Sequence, residues 1–488
     1  MLFNSFHFAV YFAVVTALYF ALGQRWRWSM LLVASCYFYL VFRPVYILIL
    51  AFTILVDYVA GLRIEAAEGI ARKRWLVASI VANVAVLAVF KYWNFLNNSL
   101  TEFLGLGQLA NPIPGLDLLL PIGLSFHTFQ SLSYTIEVYR GRQAAERNPG
   151  VFALYVMFYP QLVAGPIERP QNLLHQFREF HAFDYVRIVS GLQLMTWGLV
   201  KKVVVADRLS PFVAAVYADP HGFPGISYLV ATFFFAFQIY CDFSGYSDVA
   251  LGTAQVMGFT LMRNFERPYF SQSIAEFWKR WHISLSTWFR DYLYISLGGN
   301  RVSPSRVKVN LMLTFLVSGL WHGANWTYVI WGGLNGFYLV VEQLLGRGRE
   351  RVEAVGVRGA ARALAAVAVT FTLTCIAWVF FRATSVGDAV HILRHAADGL
   401  TTLPHDLLDR GFVKRFVFLR QDKLEFAMAF AAIAGVVLVD YLERGSGLRE
   451  RIRARPAWVR WPVYIGAVGA ILYFGAFNSA QDFIYFQF

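Results

Sequence analysis

Apolar runs recur along this chain from end to end, separated by short polar or basic segments. A spanning helix needs about 20 mainly apolar residues. The first run, roughly 3–22, reaches that length before the basic-aromatic knot Gln24-Arg-Trp-Arg-Trp28. The run over 29–60 is too long for one straight helix, and Arg43-Pro44 divides it because proline breaks the helix ladder. Arg63 and Arg72-Lys-Arg74 mark a basic loop expected on the cytoplasmic side. The pattern next predicts a span over 75–90 closing on Lys91-Tyr-Trp93, a Gly- and Pro-rich passage from Gly105 to Pro114, and a span starting near Leu118. That last span contains Pro121-Ile-Gly-Leu-Ser-Phe-His-Thr-Phe-Gln130, too polar to face lipid, so it should face other helices or a cavity.

Arg140, Arg142 and Arg147 form a second basic loop. Pro160, Gly165 and Pro166 interrupt the apolar stretch 157–166, and broken helices at membrane depth line a site or a water-filled space. Lys201-Lys202 inside the run 186–206 predicts a helix end or re-entrant element near the interface. Another run covers 227–258. Over 276–292 the period changes: Trp278, Trp281, Leu285, Trp288, Phe289 and Tyr292 share one face at about 100° per residue. Lys279, Arg280, Ser284, Thr287, Arg290 and Asp291 spread over the other, with His282 at the edge of the apolar face. The expectation is one amphipathic helix at the interface or folded back into the protein. Further spans are expected over 306–321, 324–345, 362–383, 424–441 and 460–478. The sum is an all-α polytopic membrane protein of about a dozen spanning or re-entrant elements, read as one membrane domain over 1–488, with no internal repeat.

Composition agrees. Of 488 residues, 58% are hydrophobic and only 15% charged, against about 25% charged in soluble domains. The formal net charge of +13 would suggest nucleic acid in a soluble protein. Here the basic residues cluster between apolar runs, as the positive-inside rule leads one to expect, so nucleic acid is set aside. Cys36, Cys241 and Cys375 are far apart, with neither a disulfide framework nor metal-ligand spacing. No metal or tightly bound cofactor is implied. The N-terminus lacks a basic leader and a small-residue cleavage site, so the first run is expected to be retained as a span.

Candidate chemistry centres on two histidines. His322 stands within Val317-Ser-Gly-Leu-Trp-His-Gly-Ala-Asn-Trp326, and His282 within Arg280-Trp-His-Ile-Ser-Leu-Ser286. An ionisable residue at membrane depth is costly and marks function by default, and imidazole suits proton transfer near neutrality. A neutral, packed histidine bonded to backbone is the competing reading. No nucleophile elbow, HExxH or CxxC accompanies either histidine, which leaves a buried base as the chemistry they offer.

The stretches Glu276–Arg301 and Gly319–Trp326 resemble the membrane-bound O-acyltransferase family, in its branch that acetylates bacterial exopolysaccharides. Leu120–Phe126, Phe158–Pro166, Lys201-Lys202, Asp242–Asp248 and Phe483–Phe488 add to the resemblance, whose signature core is about 118–345. It implies a helical fold around a central tunnel, with His322 as the catalytic histidine and general base and His282 as the second characteristic histidine. Trp321, Asn325 and Trp281, beside these histidines, are assigned with Lys279 and Arg280 to substrate binding. Lys279 and Arg280 would attract donor phosphates, unless they form a merely solvated or headgroup-facing basic face.

The implied function is transfer of acetyl groups from cytosolic acetyl-CoA, across the bacterial cytoplasmic membrane, for O-acetylation of a secreted polysaccharide such as alginate. A periplasmic SGNH-type acetyltransferase and the polysaccharide-synthesis machinery are the implied partners, with membrane lipids around the chain. Two alternatives stand beside it: an acyl-group transporter feeding a periplasmic transferase, and action on another envelope polymer such as cellulose, peptidoglycan or teichoic acid. His127 departs from the family, whose close members carry tyrosine there, so helix packing or a cavity lining is expected of it. Asp242 and Asp248 are expected to pair with backbone or Lys/Arg in a kinked helix, and Arg290 with Asp291 or lipid headgroups.

Overall fold

The computed structural model describes residues 1–488 except 108–109, 119–120, 164, 347–355, 444–446, 478–482 and 485–488. Leu120, the position 164 and the stretch 485–488, which belong to motifs named above, therefore lie outside the described residues. Among the described residues every regular element is helical. Contacts divide the chain into two compact units, 1–192 with 249–262, and 193–248 with 263–488.

Local chemistry explains where the helices begin. Ser5 accepts the Phe8 amide at the head of Phe6–Ala21, and Asn148 accepts those of Gly150 and Val151 ahead of Pro149 at the first helical position. Each supplies an orphan donor of the first turn with a partner. The long second run divides where expected, with Gln24–Leu40 and Ile47–Ala66 joined by a short turn that starts at Pro44.

In the first unit, Phe38 packs against Phe8 and Tyr159 in a fully buried aromatic cluster. A polar cluster lies beside the helix Leu124–Tyr139: Asp57 accepts from Ser79 at 2.6 Å and from Asn83 at 2.9 Å, and Ser79 reaches Thr135 at 3.1 Å. Fourteen of the sixteen residues of this helix are buried, all but Ile136 and Tyr139. The polar segment thus faces protein, as its composition requires. His127 is buried in it, with neither ring nitrogen bonded among the described residues.

Three expectations about boundaries need correction. The span expected to close at Lys91-Tyr-Trp93 continues as one apolar helix, Gly69–Gly105, which absorbs an extra residue in a π-helical turn at Ala88–Tyr92. The span expected near Leu118 begins at Leu124, because Gly123 adopts a left-handed φ of 76° and starts the helix there. Lys201 and Lys202 do not mark a helix end. They are buried in a π-helical turn, Val200–Ala206, inside a continuous 33-residue helical stretch, Tyr185–Tyr217.

In the second unit, carboxylates make that burial tolerable. Lys201 meets Asp248 at 2.6 Å, and Lys202 meets both Asp207 and Asp242 at 2.8 Å. Asp242 and Asp248 thus pair with lysines as expected, and Arg290 pairs with Asp291 at 2.7 Å. Among the described residues, seven helices are long and apolar enough to cross a membrane: Pro44–Ala66, Gly69–Gly105, Tyr185–Tyr217, Gly225–Met257, Gly356–Arg382, Lys423–Leu442 and Ala457–Phe474. The remaining elements are shorter or more polar, so a count of a dozen holds only approximately. The chain is a multi-pass membrane protein.

Candidate active site

A helical hairpin in the second unit carries His322. Ser303 accepts the Arg306 amide and Pro304 opens the helix Pro304–His322, which ends at the histidine itself. Asn325 then starts Trp326–Leu344 by accepting the Thr327 amide at 3.0 Å. The two helices touch through glycine. A Cβ on Gly319 would overlap the Tyr328 carbonyl oxygen, and one on Gly332 would overlap the Phe315 carbonyl oxygen. Only glycine permits so close a backbone approach.

His322 is 3% exposed. Its Nδ1 lies 2.7 Å from the Ser318 carbonyl oxygen. A carbonyl only accepts, so Nδ1 carries the hydrogen and Nε2 is left with its lone pair. The imidazole is walled by Trp331 at 4.8 Å, Trp321 at 4.9 Å and Phe381 at 5.7 Å between ring centroids. Trp378 stacks on Trp331 at 5.9 Å and an interplanar angle of 16°.

The single amphipathic helix expected over 276–292 is broken. Ile274–Arg280 and Ile283–Trp288 are separated by His282, whose φ of 42° lies in the left-handed region. The six aromatic and aliphatic residues of the expected apolar face are indeed buried, but so is Ser284 from the other face, because the break turns it inward. His282 itself is fully buried, not at an edge, with Phe243 edge-on at 4.6 Å and Trp321 at 6.3 Å. Burial, and then the cost of placing a second positive charge beside His322, hold the His282 imidazole well below its usual pKa.

The structure thus brings His282, Trp321 and His322 together. Trp281 lies behind them, stacked on Phe277 at 5.4 Å and against Trp378 at 5.1 Å. Asn325 is committed to the turn, its Nδ2 donating to the Thr384 carbonyl at 3.2 Å. Arg280 pairs with Glu276 at 2.7 Å, while Lys279 is exposed.

Lys279 lines two cavities. The larger, about 1370 Å³, also presents Arg280, Glu342 and Arg362 over an apolar wall that includes Val341 and Val369. The smaller, about 410 Å³, is mostly apolar and reaches Trp278 and Ser318, the residue whose carbonyl holds His322. Sequence reasoning missed Trp331, Trp378, Phe381 and Arg362. Trp331 lay in the same Trp- and Gly-rich run as His322, but nothing in the sequence linked the other three to a histidine so distant along the chain.

Residues 148–382 match the membrane-bound O-acyltransferase family. The probable alginate O-acetylase of Pseudomonas aeruginosa is 45% identical over 390 residues, covering 78% of this chain and 72% of that protein. Its counterpart in Pseudomonas putida is 39% identical over 96% of this chain and 92% of that protein. The chain belongs to the membrane-bound O-acyltransferase family. A peptidoglycan O-acetyltransferase from Helicobacter pylori is also similar, at 34% identity over 75% of this chain and 72% of that protein. This O-acyltransferase therefore brings His282 and His322 together among buried aromatic rings, within a single compact unit.

Proposed function

We propose that this protein transfers acetyl groups from cytosolic acetyl-CoA for O-acetylation of a secreted polysaccharide such as alginate, with His322 as general base. The observation that carries this reading is the His322 imidazole itself: buried, aromatic-walled, and held through Nδ1 by the Ser318 carbonyl, which makes Nε2 the basic nitrogen. The acceptor hydroxyl gives its proton to Nε2 as its oxygen attacks the thioester carbonyl. The C–S bond then breaks, and the leaving thiolate takes the proton from the imidazolium, so CoA departs as the thiol. Exclusion of water by Trp321, Trp331 and Phe381 protects the thioester from hydrolysis and strengthens electrostatics within the site.

The two cavities support the donor's route. The larger exceeds the roughly 300–1,000 Å³ of ordinary ligand pockets and has Lys279 and Arg362 to meet phosphates. The smaller, apolar one suits a narrow thioester arm running towards the histidine helix. His282, neutral beside Trp321, orients the acyl carbonyl. The setting is the bacterial cytoplasmic membrane, with a periplasmic SGNH-type transferase receiving the acetyl group. Alginate is favoured over peptidoglycan because the more similar relatives bear the name alginate O-acetylase.

The test is His322→Ala in a cell that secretes the acetylated polymer. The variant should insert normally and leave the polymer without acetyl groups. Unchanged acetyl content would overturn the reading. Purified protein given labelled acetyl-CoA should release CoA, which an acyl-group transporter without chemistry would not do.

A further inference from the structure

His282 holds a left-handed backbone conformation that costs a non-glycine residue free energy, so its surroundings must over-determine it. Part of that support is polar. The Ile283 amide donates to the Asn264 carbonyl at 2.9 Å. The Ser284 hydroxyl donates to Asn264 Oδ1 at 2.6 Å, and Asn264 Nδ2 reaches the Ser247 hydroxyl at 3.2 Å. The imidazole itself rests edge-on against Phe243.

Phe243 is also met by a segment about 240 residues later in the chain. Phe483 is fully buried, 5.6 Å from Phe243 and 4.5 Å from Tyr246 between ring centroids. The next residue anchors it: the Ile484 amide donates to Asp242 Oδ2 at 2.7 Å. Asp242 Oδ1 is 2.8 Å from Lys202 Nζ, which is also 2.8 Å from Asp207 and 5.5 Å from the Tyr246 ring centroid. A charge-assisted backbone hydrogen bond within a buried ion group is a strong and specific fastener.

We propose that Phe483 and Ile484 form a latch that positions His282 through Phe243, fastened by the buried Lys202–Asp242 pair. The order of contact runs from Lys202 to Asp242, to the Ile484 amide and Phe483, to Phe243, and then to the His282 ring. Phe483 acts on His282 through Phe243, as a positioning residue. Loss of its ring removes a buried neighbour of Phe243, and the imidazole loses its fixed orientation and its seal from water. Its effect on transfer rests on the proposed part of His282 in the reaction; its effect on His282 packing does not.

The experiment compares the full-length wild type with Phe483→Ala and Phe483→Leu, purified in detergent and exposed to diethyl pyrocarbonate, with modified histidines located by mass spectrometry. In the wild type His282 should be protected. In Phe483→Ala it should react at least tenfold faster while buried His127 stays protected, and Phe483→Leu, which refills the space, should restore protection. With acetyl-CoA as probe, kcat for CoA release should fall about tenfold in Phe483→Ala and KM should stay unchanged, because Lys279 and Arg362 are untouched. A reactive His282 in the wild type, or equal protection in a folded Phe483→Ala, overturns the latch. Full polymer acetylation by His282→Ala would instead overturn the role of His282 in transfer, while the footprint of the latch would stand.

Discussion

His322 Nδ1 lies 2.7 Å from the carbonyl oxygen of Ser318, four residues earlier on the same helix. The bond fixes one tautomer and aims the basic nitrogen away from the helix. His322→Gln keeps a side chain that can donate to Ser318 but cannot carry a proton between acceptor and leaving thiol. Transfer should fall by about 10²–10⁴-fold, the usual contribution of general-base catalysis, with little change in thermal midpoint. Initial rates of CoA release from acetyl-CoA, with unfolding followed in the same detergent, check both.

Gly319 and Gly332 face backbone carbonyls across the hairpin that ends in His322. A methyl group at either has nowhere to go, because rigid backbone cannot yield as a side-chain tip can. Gly319→Ala and Gly332→Ala should each cost about 1–3 kcal/mol, typical of overpacking, and reduce transfer by displacing His322. Gly435, with open space around it, serves as the control: Gly435→Ala should leave both stability and rate intact. Thermal unfolding and CoA release measure the contrast.

Lys279 lines both cavities and Arg362 lines the larger. Neither is one of the rings that wall the imidazole, so their removal should weaken donor capture and spare the chemical step. Lys279→Ala should raise KM for acetyl-CoA about tenfold, equivalent to about 1.4 kcal/mol, with kcat unchanged. Adding Arg362→Ala should raise it further, and salt should narrow the difference between variant and wild type.

Lys202 bridges two buried carboxylates, Asp207 and Asp242, and offsets their mutual repulsion. Lys202→Met leaves both without their cation and should cost about 3–5 kcal/mol, as breaking buried pairs does. Changing Asp207 and Asp242 to Asn in the same chain removes the stranded charge and should recover much of the loss. Thermal midpoints of the single and triple variants decide this.

Glu168 is buried outside the membrane-length helices and accepts the Met262 amide. Burial lifts its carboxyl from 4.5 to about 7, against smaller opposing effects of that amide, Asn172 and Arg169. The folded state therefore keeps the proton longer than the unfolded chain. Stability from this group is fully present below pH 4.5 and is lost as pH rises to about 7, at up to about 1.4 kcal/mol per pH unit. Glu168→Gln cannot ionise, so its thermal midpoint should fall less than that of the wild type over this window.

Much of the fold was legible because membrane burial writes itself into composition. Uninterrupted apolar runs, Pro44 and the capping residues Ser5, Asn148 and Ser303 mark helices by local rules that need no partner. Both histidine motifs were legible for the same reason, since a polar residue in an apolar run stands out. Other outcomes depended on contacts between residues far apart in sequence. Lys201 and Lys202 read as an interface because isolated lysines avoid apolar surroundings, and only Asp207, Asp242 and Asp248 make their burial possible. The period over 276–292 read as one helix because periodicity cannot register a single left-handed residue, His282, imposed by packing.

The helical membrane class, the family and the two histidine motifs are all properties of local pattern and composition, and could be read without any tertiary contact. The histidines' surroundings came only from packing: Trp331 and Phe381 close around His322, Trp378 stacks on Trp331, and Phe483 meets Phe243, the ring beside His282. Aromatic side chains are alike in sequence wherever they occur. Which of them meet is set by how helices pack, and packing is a property of the whole chain.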